Sequence, residues 1–471
     1  MYRVFSICLI LFLSVDLGAS IWQVGPTQTY STPNELYLAD NNGAISISTG
    51  DTIEIDAALY EGNDCLAVWH ADSLLIRGVD GIPHMKANGS YIWQKAIWVA
   101  TGDNIIVEHI EFSEAAVPDM NGAGIRLDGT GLTVRYCYFH DNENGILTSN
   151  PYAGNVRVEN SEFNHNGYGD GYSHNIYVGH VDTFTLQFCY MHHAFIGHNV
   201  KSRAATNFVL YNRIMDEESG QSSMLLDLPN GGFSLIIGNL FMQGENAENK
   251  SLITYGTEGL SNPVDELYVV NNTMVNERHT ATFINAQNSP SIAKAINNLM
   301  IGIGDPWLGV TDSLGNYYSL DTNGIGFIDL NNYDYHLSGN SVLINQGSNP
   351  GSAGMYDLIP QFEYYHSSAG FPRSIVDAID IGAYEYPTQL AMQESIPATI
   401  KIYPNPAKGY IIFDGIETPD HALVLFYDSS GRQLTCHYTS DRIPVSHLSQ
   451  GIYLAEVIVE GKIYRSRFVK N

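Results

Sequence analysis

From roughly Ile106 to Met300 the chain repeats one pattern: a short run of alternating apolar residues, then a polar residue, then an aromatic or a methionine. The copies end at Phe112, Phe139, Phe163, Met191, Met215, Met242, Met274 and Met300, at intervals of 27, 24, 28, 24, 27, 32 and 26 residues. Such intervals are too irregular for a solenoid of fixed helices and suit coils that share a strand and vary a loop. Alternation sends one set of side chains into a coil and the other outward, so parallel stacking of coils predicts a continuous apolar column. Helix signals are nearly absent, while Gly (44) and Tyr (30) are abundant. Asn160, Asn212, Asn239, Asn271 and Asn297 take one slot of the pattern, which predicts a ladder of buried amides at a strand corner.

Beyond the repeats, Tyr333–Asn349 and Asp377–Tyr386 read as a closing segment whose last strand pair covers the open end of the solenoid. A polar linker without the pattern follows over 387–399. Residues 400–471 then form three hairpin-like groups with turns at Asn405-Pro406, Ser430-Gly431, Gln450-Gly451 and Glu460-Gly461, the signature of a small antiparallel β-sandwich. Residues 1–20 carry Arg3, an apolar run and Gly18-Ala19-Ser20, as expected of a secretory signal peptide too short to span a membrane. No later run reaches the length of a transmembrane helix.

Over roughly residues 21–386, repeat length, Asn slot and strand pattern resemble the right-handed parallel β-helix proteins of the pectin-lyase-like type. That likeness implies an all-β fold and a monomeric, extracellular, polysaccharide-active protein. Tyr403-Pro404-Asn405-Pro406, Gly431, Leu448–Tyr453 and the basic end Lys462–Lys470 resemble the type A sorting domain of the type IX secretion system. This second likeness implies handling by that machinery and release to, or retention on, the surface of a Bacteroidetes-type bacterium.

A net charge of −28, from 22 Lys+Arg against 50 Asp+Glu, repels phosphate backbones and argues against nucleic-acid binding. It also means that any polyanionic substrate needs a local basic patch. Cys137 and Cys189 share a slot two coils apart, about 9.6 Å at strand spacing, which is beyond disulfide reach and predicts buried thiols. No CxxC, HExxH or paired Cys/His spacing points to zinc. Asp119-Met120-Asn121-Gly122 and Asp170-Gly171 offer oxygen ligands suited to Ca²⁺, without EF-hand spacing.

Aligning the strands after each corner places Ile125, Ile146, Ile176, Val200 and Met224 inward. The outward columns are then Arg126, Leu147, Tyr177, Lys201 and Leu225, beside Asp128, Ser149, Gly179, Arg203 and Asp227. This gathers Tyr177, Lys201, Arg203 and Asp227, with His174 and His198 sharing a turn slot and Arg126 and Asn199 nearby. Lyases that cleave uronic-acid glycans by β-elimination need a cation on the carboxylate and groups to move protons. Arg203 or Arg126 suits the first role, Lys201 the base, and Tyr177 or a histidine the acid; Arg126, His198, Asn199 and Asp227 would line the substrate. Lys201-Ser202, Asn207 and Asn212 also resemble the catalytic coil of β-helical alginate lyases and chondroitinase B. The departures are Leu225–Leu228, where that group carries Arg-His-Gly, and Gly197-His198, where it carries an acidic calcium ligand. Two alternatives stand beside this reading: a non-catalytic glycan-binding or adhesin-like protein, and a glycoside hydrolase using a carboxylate pair such as Asp170 with Asp227 or Glu217. The same charges also fit a solvated ladder. Trp93 and Trp98 are candidates to stack on sugars or to cap the first coil.

Overall fold

A computed structural model describes residues 19–150, 153–386, 398–414, 423–427, 433–438, 442–446, 448–459 and 462–471. Most of the signal segment (1–18), most of the linker (387–397) and the turns at Ser430-Gly431 and Glu460-Gly461 lie outside the described residues.

Alternating strands coil into a right-handed parallel β-solenoid of about 11 turns. A representative coil runs from Ile105–Glu108 in sheet one to Glu111–Ser113 in sheet two and Ala123–Leu127 in sheet three. Through such stacking, sheets one, two and three gather 12, 11 and 10 strands. At the N-terminal end, helix Pro33–Asn41 buries Leu36 and Tyr37, with the Thr32 side chain capping Glu35 N. Its Asn34 amide donates to Leu66 O at 2.9 Å. Trp98 is interior rather than exposed: it packs edge-on against Trp69 and Phe112, and its indole N–H donates to Cys65 O. Trp93 is exposed.

One corner of each coil, between sheets one and two, uses a left-handed residue: His109, Tyr136, Asn160, Phe188, Tyr211, Gly238, Asn271 and Asn297 have φ between 48° and 68°. Bulky residues resist this conformation, and stacking along the corner offsets the cost, His109 on Tyr136 and Phe188 on Tyr211. The ladder occupies the next position. Asn212, Asn239, Asn272, Asn298 and Asn316 form a chain in which, from Asn239 on, each amide oxygen accepts from both the backbone N–H and the side-chain N–H of the asparagine one coil before it, at 2.8–3.0 Å. A second ladder, Asn142, Asn166, Asn175 and Asn199, serves the corner between sheets two and three. Asn160, Asn271 and Asn297 therefore sit one residue before the ladder, not in it. Cys137, Ser161 and Cys189 precede Asn212 in the ladder slot, and burial pushes the Cys137 thiol up to about 12, in keeping with reduced, inert thiols.

This one-residue offset comes from the coils containing Asn212 and Asn239. Met191 pairs with Ile214, which pairs with Phe241 and then Met274, so Ile214 and Phe241 fill the inner column. Met215 and Met242 face outward instead. Both faces are apolar there, so alternation carries no mark of register.

The outward apolar residues are covered by the chain after the solenoid. Hairpin Phe327–Asp329/Asp334–Leu337, with Ile325, Leu343, Ile381 and Tyr384, packs on Met215, Leu240, Met242, Val275, Leu299 and Ile301 of sheet two. Ala353, Leu358 and Phe362 pack on Leu235, Tyr268 and Ile296 of sheet one and on Tyr211 at its corner. Along the left-handed corner, Asn297 donates to Ser348 O, Asn271 to Asp380 O and Asn160 to Ser368 O, and Tyr211 Oη accepts from Gln361 N. Gly370 sits so close to the Phe188 ring that a Cβ would stand 2.1 Å from it. The expected end cover is thus a lateral strap running back along the corner. Buried Arg373 holds it together, donating to Glu385 at 2.7 and 2.9 Å and to the carbonyls of Asp380, Gly382 and Ala383.

The C-terminal residues form a five-stranded sheet (Ala398–Thr399, Lys462–Lys470, Gly451–Val459, Leu423–Tyr427, Gln433–Tyr438) and a three-stranded one (Lys401–Tyr403, Tyr410–Asp414, Ile443–Pro444). Ile402, Ile411, Phe426, Val457 and Phe468 lie in their shared core. This is the small, mainly antiparallel unit the turns predict.

Two stability outcomes follow from the ladder and the strap. Asn239→Ala leaves several buried partners unsatisfied and lowers the urea-unfolding free energy by about 3 kcal/mol or more. Arg373→Met strands the Glu385 carboxylate, costs about 3–5 kcal/mol, and brings early protease cuts between residues 344 and 386 in limited digestion.

Candidate functional site

With the strap on sheets one and two, the face left to build a site over the middle coils is sheet three. Its outward row reads Arg126, Leu147, Tyr177, Lys201, Asp227, Thr254 and Asn285. The inward neighbour of Val200 is Leu226, and Met224 pairs with His198, so Leu225 leaves the expected column and Asp227 moves to face Lys201 directly. The slip also corrects two orientations: Leu225, expected outward, is buried in the core, and Met224, expected inward, is partly exposed with its sulfur 3.4 Å from Thr254 Oγ1 on the outer row, because the strand enters the sheet two residues later than the alignment places it.

Tyr177, Lys201, Arg203 and Asp227 do come together. Lys201 Nζ lies 3.4 Å from Asp227 Oδ2 and 3.5 Å from Glu258 Oε1. Arg203, just past the end of strand His198–Ser202, spreads over three acceptors: Nε donates to Tyr177 Oη at 2.7 Å, Nη1 to Asn230 Oδ1 at 2.5 Å and Nη2 to Glu258 Oε1 at 3.0 Å, while Nη1 also lies 2.7 Å from Glu258 Oε2. Both cations also lie over the Tyr177 ring, at 5.8 and 5.7 Å from its centre. Arg203 holds the Glu258 carboxyl below its usual range. Thr254 Oγ1 donates to Asp227 at 2.5 Å.

Glu258 escaped the sequence reading because it belongs to the loop between two coils and has no strand slot. Its place is set by backbone bonds: Glu258 N donates to Pro229 O at 2.9 Å, and Asn262 Nδ2 to the carbonyls of Ala204 and Gly231. Gly256 and Gly259 supply the positive φ values, 74° and 109°, that let the loop turn back over the sheet. The only sequence signal is that Gly-rich turn around an acidic residue.

Other expected site residues fall elsewhere. Asn199 is fully buried in the second ladder, accepting from Asn175 at 2.7 Å, so it cannot line a surface site. Ser202, Asn207 and Asn212, which carry the likeness to the lyase coil, are interior too: Ser202 Oγ donates to Asn207 at 2.6 Å and Asn212 is a ladder member. Arg126 lies beyond Leu147 from Tyr177 and pairs with Asp128, itself bound by Lys95, which makes a separate cluster. His198 is buried beneath Lys201, stacked on His174 at 4.7 Å, with Nε2 3.5 Å from Asp227. Burial pulls its pKa down to about 4 against the opposing pull of Asp227. At the first calcium candidate, Glu143 already holds the loop, accepting from Val117 N and Gly122 N, and Asp170 accepts from Tyr172 N within its own turn.

Residues 34–175 match the family model of the right handed beta helix region, and residues 401–471 match that of the secretion system C-terminal sorting domain. The chain is a right-handed parallel β-helix with a C-terminal sorting domain. That domain marks it for export through the type IX system of Bacteroidetes, to end secreted or on the cell surface. No curated protein and no solved structure gives a significant match. Among the described residues no helix is long and apolar enough to cross a membrane.

The buried histidine gives a pH signature. His198 is depressed in the fold, so its contribution is present above about pH 6.5 and is lost as pH falls towards about 4, a difference of about 3 kcal/mol at most. His198→Gln is expected to flatten the fall of the urea midpoint across that window, with His174, Asp227, Lys201 and Glu258 unchanged.

Proposed function

We propose that this exported β-helix protein engages carboxylate-bearing polysaccharides on the outer face of sheet three, with β-elimination as the reaction class. The observation that carries the reading is the Glu258 carboxylate, half exposed and held by Arg203 and Lys201 beside the Tyr177 hydroxyl. In a protein of net charge −28, a two-cation clamp aimed outward is a carboxylate receptor, and Glu258 stands where a uronate carboxylate would sit.

In that reaction Arg203 and Lys201 neutralise the uronate carboxylate, which acidifies C5–H. Tyr177 Oη takes the proton that leaves C5, the C4–O bond breaks with its electron pair on oxygen, and the departing oxygen takes a proton. Tyr177 is the group placed to give it, since its oxygen accepts from Arg203 Nε and then carries the hydrogen taken from C5. The base role expected of Lys201 called for a lysine flanked by cations; Asp227 and Glu258 stand beside it instead. Lys201 is therefore assigned to carboxylate binding. This pairing also favours a second reading, capture without cleavage, because Asp227 and His198, the other proton acceptors of the cluster, are buried.

Binding and turnover separate the two readings. Against alginate, pectate, chondroitin, heparin and hyaluronan, Arg203→Ala and Lys201→Ala are expected to weaken binding at least about tenfold, whereas Glu258→Ala, which frees the clamp, strengthens it. Growth of ultraviolet-absorbing unsaturated ends, lost in Tyr177→Phe, marks elimination. Binding without those ends marks capture, and binding indifferent to all three clamp substitutions removes the site.

A further inference from the structure

We propose that His84, Glu111 and His140 form a binding site for a zinc-class divalent cation on the outer face of sheet two. The three residues come from three consecutive strands, His84–Lys86, Glu111–Ser113 and Tyr138–His140. His84 faces Glu111 across the first pair, and His140 lies two residues along on the same face, opposite Ser113. One ligating atom from each residue lies within 4.8 Å of the other two.

Orientation is the second, independent observation. His140 Nδ1 is engaged by Asp141 Oδ2 at 2.7 Å, which leaves Nε2 facing Glu111 Oε1 at 2.9 Å. His84 Nε2 is engaged by Ser113 Oγ at 2.6 Å, which leaves Nδ1 3.6 Å from the same Glu111 oxygen. Each ring thus has one nitrogen tied to a polar partner and the other aimed at a common carboxylate, the outer-shell arrangement that fixes histidine ligands around zinc. Tyr138 stacks on His140 at 4.5 Å and restrains its ring. Lys86, the nearest cation, is drawn to Glu61 and Glu114.

Two imidazoles and a carboxylate are a borderline-soft donor set, suited to Zn²⁺ more than to Ca²⁺ or Mg²⁺. Ligand bonds of about 2.0–2.2 Å place neighbouring donors about 3.4 Å apart in a tetrahedron, so the donors need only small side-chain rotations to close on an ion. The three side chains keep between 17% and 27% exposure, so a fourth position opens to solvent for water or an oxygen ligand. The site lies on a different sheet from the Lys201 cluster and stands independently of the function proposed for it.

The test is zinc titration of the purified full chain by calorimetry, with Co²⁺ absorption as a readout that needs no variant. A single tight equivalent is expected, with Co²⁺ bands of tetrahedral intensity. Glu111→Gln and His140→Ala should abolish it, and Asp141→Asn, which only frees the His140 ring, should weaken it about tenfold or more. His192→Ala, in the neighbouring histidine group, should leave it unchanged. A wild-type chain that takes up no zinc at micromolar concentrations overturns the proposal, as does uptake that survives in both Glu111→Gln and His140→Ala or depends on His192 instead.

Discussion

Every coil of a β-solenoid must turn sharply while its polar backbone stays buried, and the turn is the point at which stacking succeeds or fails. Here the asparagine amides meet that demand. Each side-chain oxygen takes the two N–H groups presented by the preceding ladder member, and each Nδ2 also reaches a strand carbonyl, as Asn239 does with Val209 O at 2.8 Å. Because the partner is always one coil away, the ladder fixes both the corner and the stacking distance. The inner column then follows: Phe112, Phe139 and Phe163 stack at 4.9 and 4.7 Å between centres. Gly124 and Gly145 leave room for them, since a Cβ on either would stand 2.8 or 2.7 Å from a ring carbon.

Outside the column, one sheet changes character along its length. On sheet two the outward positions run His84, Glu111, Tyr138, Glu162, Tyr190 and Arg213, then Leu240, Thr273 and Leu299. The parallel row runs Lys86, Ser113, His140, Asn164 and His192, then Met215, Met242, Val275 and Ile301. The change coincides with the reach of the strap, whose His366 meets Tyr190 edge-on at 5.1 Å. Apolar residues point outward where the returning chain removes them from water, and at the margin of its reach Tyr190, His192 and Arg213 are titratable yet buried. Arg373 and Glu385, with the carbonyls they gather, let the strap do this with little regular structure of its own.

The solenoid, its strands and the sorting domain were legible in the sequence because alternation and turn residues are local signals. Register was legible only where one face is polar. At Met215 and Met242 the strap makes both faces of the strand apolar, so those pattern copies end one residue past the inner column, and aligning on their ends puts Asn160, Asn271 and Asn297 level with Asn212 and Asn239. The pairing of Lys201 with Asp227 depended on the longer connection before strand Met224–Leu228, whose length does not show how many residues it absorbs. Tyr177, Lys201 and Arg203 were found because two of them share a row and the third follows it by two residues. Glu258, from a loop 55 residues after Arg203, had no row to betray it.

The same geometry explains why the His84, Glu111 and His140 cluster left no motif. Zinc signatures are read as short spacings because most ligand pairs sit on one turn or one helix face. In a stacked solenoid the nearest neighbour of a residue is one coil on, so these ligands are separated by 27 and 29 residues in the chain and by one strand in space. The coil length varies with each loop, so no fixed spacing can encode such a site; the hydrogen-bonded register does so instead. A β-helix therefore concentrates chemistry in rows that run across the chain, and a rigid parallel sheet holds neighbouring rows at constant separation. The price of moving a ligand is a shift of the whole register, which the buried amide ladders oppose at every turn.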